Sequence, residues 1–278
     1  MKVDLVLTAA TNDSHYGALY PLTRRVWKER FGLELHMILV SATLPDALIP
    51  YKDSITLFRP PTTVSPIYAS QVVRLLYPAL FPGKTVLITD ADIIPISRSY
   101  FIDSIADHPE DAFVTWRDKY IRQQMYGMCY NAARADVWGA VFGIKSLEDI
   151  RIRLTEWYNP GYTGTKNCTG WFTDQQQLYQ CANRWSGGSD KPLPDKAISG
   201  SGKPLPDAVP NRTRPLIVMQ DKVLGFRRLD KRERKKILSN VEVIKATITT
   251  YTDFHVMSPY NDHKKLYGQI VERLCKDD

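Results

Sequence analysis

Apolar runs alternate along this chain with segments whose apolar positions recur near every fourth residue, and that alternation predicts strands interleaved with helices. Val3 to Thr8 (VDLVLT) reads as a first strand, followed by the polar segment Ala10 to His15. Tyr16 to Phe31 reads as a helix, with Leu19, Leu22, Val26 and Phe31 on one face and Pro21 in its first turns. Leu35 to Val40 and Ile55 to Phe58 are further strands. Their order predicts a parallel sheet with right-handed crossovers. Ser65 and Pro66 mark a helix start, as N-cap and first helical residue. That helix is expected to run to about Leu80, with Val72, Leu75, Leu76 and Leu80 inward, and to carry Arg74; Pro82 and Gly83 stop it. Thr85 to Thr89 is β-branched and unalternating, as in a strand buried on both faces.

The second part of the chain is less regular. Ala112 to Trp116 reads as a strand, and the irregular segment Gln124 to Asn131 leads through Ala132 to Arg134 into a helix from Ala135. Ser146 is the expected cap of a helix over Leu147 to Tyr158, and Thr173 of a helix that begins Asp174, Gln175, Gln176. Between them Asn159 to Gly170 has the glycine and asparagine content of a sharply bent loop. Ser186 to Arg214, with KPLPD repeated at Lys191 and Lys203, reads as a mobile surface loop or lid. Strands are expected at Leu216 to Met219 and Val241 to Thr249; Phe254-His255-Val256 follows, and a helix carrying Leu266, Ile270, Val271 and Leu274 closes the chain.

At 278 residues with 44% hydrophobic side chains, the chain can fill one large α/β core. No run reaches the roughly 18 apolar residues of a membrane helix. The first strand begins so near Met1 that no signal peptide is expected, which suggests a cytoplasmic protein, or a domain of a longer or virus-encoded one. The cysteines at 129, 168, 181 and 275 have no CxxC spacing and read as reduced, mostly buried thiols, and the three N-x-S/T sequons read as coincidence. Most of the net charge of +7 lies in Arg227 to Lys236, which holds seven basic and two acidic residues. A chain so little basic elsewhere is not expected to bind nucleic acid generally; the run is a solvated helix face or a patch for phosphate or an acidic acceptor.

The candidate chemistry lies in Lys84 to Ser97, KTVLITDADIIPIS. A buried strand delivers Asp90 and Asp92 to its carboxyl end, where α/β sheets bind ligands. Two carboxylates so placed make a hard-oxygen site for a divalent cation that can also hold phosphate. The plainer alternative is a turn or helix cap.

The segment VVRLLYPALFPGKTVLITDADIIP is very similar to the motif R-L-x-x-P-x-L-x-P…K-V-x-Y-L-D-x-D of family 8 of the glycosyltransferases, the glycogenin and lipopolysaccharide galactosyltransferase family. The resemblance implies the GT-A fold: a Rossmann-like α/β domain over 1–278 with a mixed, mostly parallel sheet flanked by helices. Residues 1–97 would form its nucleotide-binding half, and 98–278 an acceptor-binding half that completes the metal site. By the same resemblance Thr8, Ala9, Ala10, Thr11 and Asn12 would hold the uracil and ribose of a UDP-sugar. Arg74 would reach the diphosphate or sugar, and Asp90, Ala91 and Asp92 would lie at ribose and Mn²⁺. Asn131 would line the donor sugar, in a segment where Ala133 stands for the usual Gly. Asp174 and Gln175 match a segment under the sugar ring, and His255 matches the late histidine that completes the metal site. The family's H-x-x-G-x-x-K pattern is not kept, so the diphosphate lysine is unassigned.

These residue types suit the implied reaction. Transfer from a nucleotide sugar leaves a diphosphate, whose charge a cation and a fixed arginine would meet. Mn²⁺ accepts mixed carboxylate and imidazole ligands, with Mg²⁺ as the harder competitor. Asp174 could bind sugar hydroxyls or act as base on the acceptor hydroxyl. The resemblance implies retention, with Gln175 near the anomeric carbon; a base at Asp174 implies inversion. Trp116, Arg117 and Trp171 are candidates for the acceptor site, since sugars stack on aromatic faces, though tryptophan also serves as core; His255 could equally be a core histidine. Two rival readings remain: a nucleotide-sugar pyrophosphorylase, from Gly17 to Arg24 (GALYPLTR), and a non-catalytic carbohydrate- or nucleic-acid-binding module using the basic run.

Overall fold

The computed structural model describes residues 1–12, 16–187, 214–219, 252–256 and 264–275. The expected strand at Val241 to Thr249, the basic run Arg227 to Lys236 and nearly all of the 186–214 loop lie outside these residues. The expected α/β class holds. Strands β1 (Leu5–Thr11), β2 (Leu35–Val40), β3 (Ile55–Phe58), β4 (Thr85–Ile88), β6 (Phe113–Thr115), β7 (Asn131–Arg134) and β8 (Leu216–Val218) form a seven-stranded sheet in the order β3-β2-β1-β4-β7-β6-β8. A separate ribbon pairs β5 (Ile93–Pro95) with β9 (Asp253–His255).

The sheet is mixed and mostly parallel, as the GT-A resemblance implied. β7 alone runs against its neighbours β4 and β6; the pairs β1 with β2, β2 with β3, β1 with β4 and β6 with β8 are parallel. The sequence reading missed β7, because NAAR has neither alternation nor β-branched residues to mark it. Every residue of β4 is buried, which is why that strand shows no polar face. One face of the sheet packs on α1 (Tyr20–Phe31) and α7 (Lys264–Leu274). The other packs on α2 (Pro66–Leu76), α4 (Ala135–Phe142), α5 (Leu147–Trp157) and α6 (Thr173–Trp185). A short α3 (Arg98–Phe101) follows β5.

Several boundaries differ from expectation for local reasons. β1 continues through Ala10 and Thr11, which pair with Leu39 and Val40, so the polar loop begins later than the composition suggested. α2 ends at Leu76 and tightens into a 3₁₀ turn over Tyr77–Leu80, because Pro78 has no N–H to continue the helix. Ser65 and Thr173 were expected to cap helices through their side chains, and neither does. Thr173 is the first residue of α6, and its hydroxyl donates to the Gly170 carbonyl at 2.8 Å. Ser146 does cap α5, in a reciprocal box with Asp149. Of the four cysteines only Cys129 is buried; the others are half-buried.

Candidate active site at the carboxyl edge of the sheet

The chain leaves β4 at Thr89, whose amide still bonds the Leu7 carbonyl at 2.9 Å, and then turns through Asp90, Ala91 and Asp92. From there it does not return to the main sheet but enters the β5–β9 ribbon, where Ile93 lies opposite His255. The Val256 amide donates to the Asp92 carbonyl at 2.8 Å. The triplet is thus the joint between sheet and ribbon, and the ribbon brings His255 to the aspartates. One ligand atom from each of Asp90, Asp92 and His255 lies within 4.8 Å of the others, and all three residues are half-buried. His255 Nε2 stands 3.2 Å from Asp92 Oδ2.

This donor set fits a divalent cation. Two carboxylates and an imidazole converge from two different chain segments, with access from solvent, and they offer the mixed oxygen and nitrogen donors that Mn²⁺ accepts. His255 is half-buried and is not enclosed in the core.

Arg74 reaches the site from the last turn of α2. Its Nη1 pairs with Asp90 Oδ1, and its Nη2 lies 3.3 Å from Asp174 Oδ2. Burial works against its charge, but Asp90 and Asp174 outweigh this and hold the guanidinium above its ordinary range. Asp174 is buried at the start of α6, where its Oδ1 accepts from the Gln175 amide at 2.8 Å. Burial pushes the Asp174 carboxyl up to about 6, against the pull of Arg74 and of that amide. The end of α2, the start of α6 and the turn after β4, far apart in the chain, therefore bring one arginine and two carboxylates together. Gln175 is half-buried, and its carbonyl accepts from the Tyr126 amide at 3.3 Å.

The remaining predicted residues divide. Thr8, Ala9 and Ala10 are buried within β1, so their side chains do not form an open loop; Thr11 is half-buried and Asn12 exposed at the strand's end. Ala91 is half-buried between the two aspartates. Asn131 is buried, and its Nδ2 donates to the Gly127 and Met128 carbonyls at 3.0 and 3.3 Å, bracing the turn before β7.

Two of the acceptor candidates are corrected. Trp116 is a core residue with no exposed surface, its indole N–H donating to the Tyr100 carbonyl at 3.1 Å. Arg117 does not face an open surface either: its Nη2 stands 2.5 Å from Asp253 Oδ2, and Asp253 is buried. Both follow β6, and the sequence could not say which way the chain turns there. Trp171 is half-buried and stacks on Tyr162, with ring centroids 6.3 Å apart. The segment GALYPLTR, which suggested a pyrophosphorylase, forms a 3₁₀ turn and the first turns of α1.

No family model matches the chain, and no curated protein does. Among solved structures it is similar to a galactosyltransferase, LgtC, in complex with donor and acceptor sugar analogs, at 11% identity over 95% of each chain and a TM-score of 0.46. It is also similar to a glycosyltransferase involved in glycosylation of the major capsid of PBCV-1, at 10% identity over 98% of each chain and a TM-score of 0.44. A third is the glycosyltransferase GlyE of Streptococcus pneumoniae TIGR4, at 11% identity over 98% of this chain and 63% of that one, with a TM-score of 0.46. Likenesses this distant carry no argument about the reaction, which has to be made from the site.

Sequence reasoning did not single out Asp253; it read Cys129 only as a reduced thiol and Tyr130 only as part of the segment with Asn131. Cys129 is buried, accepts from Arg117 Nη1 at 2.9 Å, and has its thiol pushed up to about 12 by burial and then by Asp90, so it stays neutral. Tyr130 is buried under the Arg117 guanidinium, 5.0 Å from ring centroid to Cζ. The one local signal was the acid two residues before His255, which strand periodicity places on the same face.

Proposed function

We propose that the chain is a metal-dependent glycosyltransferase that moves a sugar from a nucleotide-diphospho-sugar, in the first place a UDP-sugar, to a hydroxyl of a glycan or other acceptor. The observation that carries this reading is the convergence of Asp90, Asp92 and His255 within 4.8 Å, beside Arg74, at the carboxyl edge of β4. Such an edge is where open α/β sheets take nucleotides. The motif resemblance of Arg74 through Pro95 supports the same reading independently of the geometry.

In this reading Asp90, Asp92 and His255 hold Mn²⁺, or Mg²⁺ in its place. Bound there, the cation would neutralise charge on the diphosphate as the sugar departs. Arg74 supplies a fixed positive charge at the same edge, oriented beforehand by Asp90 and Asp174, so little reorganisation is needed when charge develops. Thr11 and Asn12, where β1 emerges, would meet the base and ribose. Asp174 is mostly ionised above its raised pKa of about 6, and can accept a hydrogen bond from a sugar hydroxyl or take the acceptor's proton. Gln175 beside it is the residue assigned to the anomeric side, with retention as the outcome where Asp174 only binds a hydroxyl and inversion where it takes the acceptor's proton. Trp171, stacked on Tyr162 just before α6, is the remaining aromatic candidate for the acceptor. No described helix is long and apolar enough to cross a membrane.

The test is calorimetric titration of UDP into wild type and Asp92→Ala, each with Mn²⁺ and with chelator. Binding that requires both Mn²⁺ and Asp92 supports the reading, and a screen of UDP-sugars with NMR of the product anomer then gives donor and stereochemistry. Absence of UDP binding under every condition sinks the UDP assignment.

A further inference from the structure

His255 stands on a slender support. Strand β9 has three residues and pairs with β5, also of three. In that ribbon Asp253 lies opposite Pro95, which has no N–H, so the ladder lacks a donor at this pair. Backbone anchoring comes from the Val256 amide on Asp92 and from the Ile96 and Ser97 amides, both on the Thr252 carbonyl at 2.9 and 3.1 Å. Side chains alternate along a strand, so Asp253 and His255 share one face while Phe254 turns away and packs on Tyr267.

On that shared face Asp253 meets Arg117. The arginine takes an uncommon backbone conformation to do so, with φ 70°, in the left-handed region that a side chain disfavours. Tyr130, whose carbonyl accepts from the Trp116 amide at 3.2 Å, is likewise at positive φ, 92°. Bending at both positions leaves the guanidinium over the Tyr130 ring, with Cys129 Sγ and Asp253 Oδ2 as its acceptors. Thr252 Oγ1 donates to the same Asp253 oxygen at 3.2 Å. Of these contacts the Arg117–Asp253 ion pair joins β9 to the segment that follows β6, while Cys129 and Tyr130 hold the arginine in place; none of them is used in the proposed reaction.

We infer that Arg117 and Asp253 are a positioning pair for the metal site: their buried ion pair fixes β9 against the sheet and thereby sets where His255 stands relative to Asp90 and Asp92. The inference rests on the metal-dependent reading of that site. Neither residue is a ligand; each acts through His255, as outer residues of metal sites commonly do.

The experiment measures the Mn²⁺ dissociation constant of the full chain by electron paramagnetic resonance, with thermal melting as the control for folding. Replacing one partner would strand a buried charge, so both are replaced, as Arg117→Met with Asp253→Leu. The double variant is expected to melt near wild type while its dissociation constant for Mn²⁺ rises about tenfold or more. In a His255→Ala background the same pair of substitutions should leave Mn²⁺ binding unchanged, since an absent imidazole cannot be misplaced. An unchanged constant in the folded double variant overturns the inference, and so does equal weakening with and without His255. If the double variant does not fold, Arg117→Lys carries the test: it keeps the charge but loses the fork. Weaker Mn²⁺ binding then supports the pair, and unchanged binding overturns it. A wild type that binds no Mn²⁺ removes the metal reading and this inference together. Binding that is lost in Asp92→Asn preserves the metal reading whatever the double variant does.

Discussion

Two arginines flank the candidate site, and they are held in opposite ways. Arg74 and Arg117 have equally covered side chains, each 12% exposed. Arg74, however, divides itself between Asp90, which is 18% exposed, and Asp174. Arg117 is committed to Asp253, which is 3% exposed, with Cys129 and Tyr130 closing round it. A pair with one partner open to water can exchange that partner for a ligand, because the displaced carboxylate is rehydrated or takes a cation. A pair whose carboxylate is shut away cannot exchange without stranding that charge. The difference supports the proposed roles, Arg74 in recognition and Arg117 in positioning.

The largest expected effect breaks the exchangeable side outright. Asp92→Ala should lower sugar transfer at least about 100-fold, as loss of a charge-stabilising group does, and should abolish Mn²⁺-dependent UDP binding. Turnover of UDP-sugar with titrated Mn²⁺ checks it. Next, the two arginines should part in stability. Arg117→Met should cost about 4 kcal/mol in urea denaturation, the range for breaking a buried pair. Arg74→Met should cost less, about 2 kcal/mol, because Asp90 can turn to water. Equal losses would erase the distinction drawn here.

Protonation sharpens the same contrast. Asp174 titrates in the folded protein near 6, above the ordinary value of 3.8. The folded state therefore holds this proton more tightly than the unfolded chain. The stability it contributes is full below about 3.8 and is lost as pH rises through about 6. Between pH 4 and 7 wild type should lose about 2 kcal/mol of stability relative to Asp174→Asn, and denaturation curves across that window measure it. The smallest effect lies far from the site. Ser146→Ala removes the capping box of α5 and should cost about 1 kcal/mol without changing Mn²⁺ affinity.

What could be read before any coordinates follows from the range of the forces involved. Strands β2 and β3 were legible to the residue, β2 because all of it but His36 is buried and apolar, and β3 as a short apolar run although only its Phe58 is buried. The long helices were legible because a buried face imposes its repeat on the sequence. Strand β7 and the 3₁₀ turn at Tyr77 were not, since one lacks propensity and the other depends on a single missing N–H. Within the site, Asp90 and Asp92 stood out because strand and carboxylates are contiguous. Trp116 and Arg117 were candidates for the acceptor site, with core as the alternative for the tryptophan, because nothing local tells a residue after a strand whether the chain will cover it.

By itself the sequence determined the α/β class, the order of its main elements and the position of the acidic turn after β4, all consequences of local pattern and burial. Only the tertiary structure decided that the chain leaves the main sheet after Thr89 for a ribbon with β9, that the ribbon sets His255 beside the aspartates, and that Arg74 pairs with Asp90 and Asp174 while Arg117 pairs with Asp253. Those outcomes depend on which distant segments meet, and a pairing between strands is fixed by hydrogen bonds and packing that neither strand's sequence contains alone.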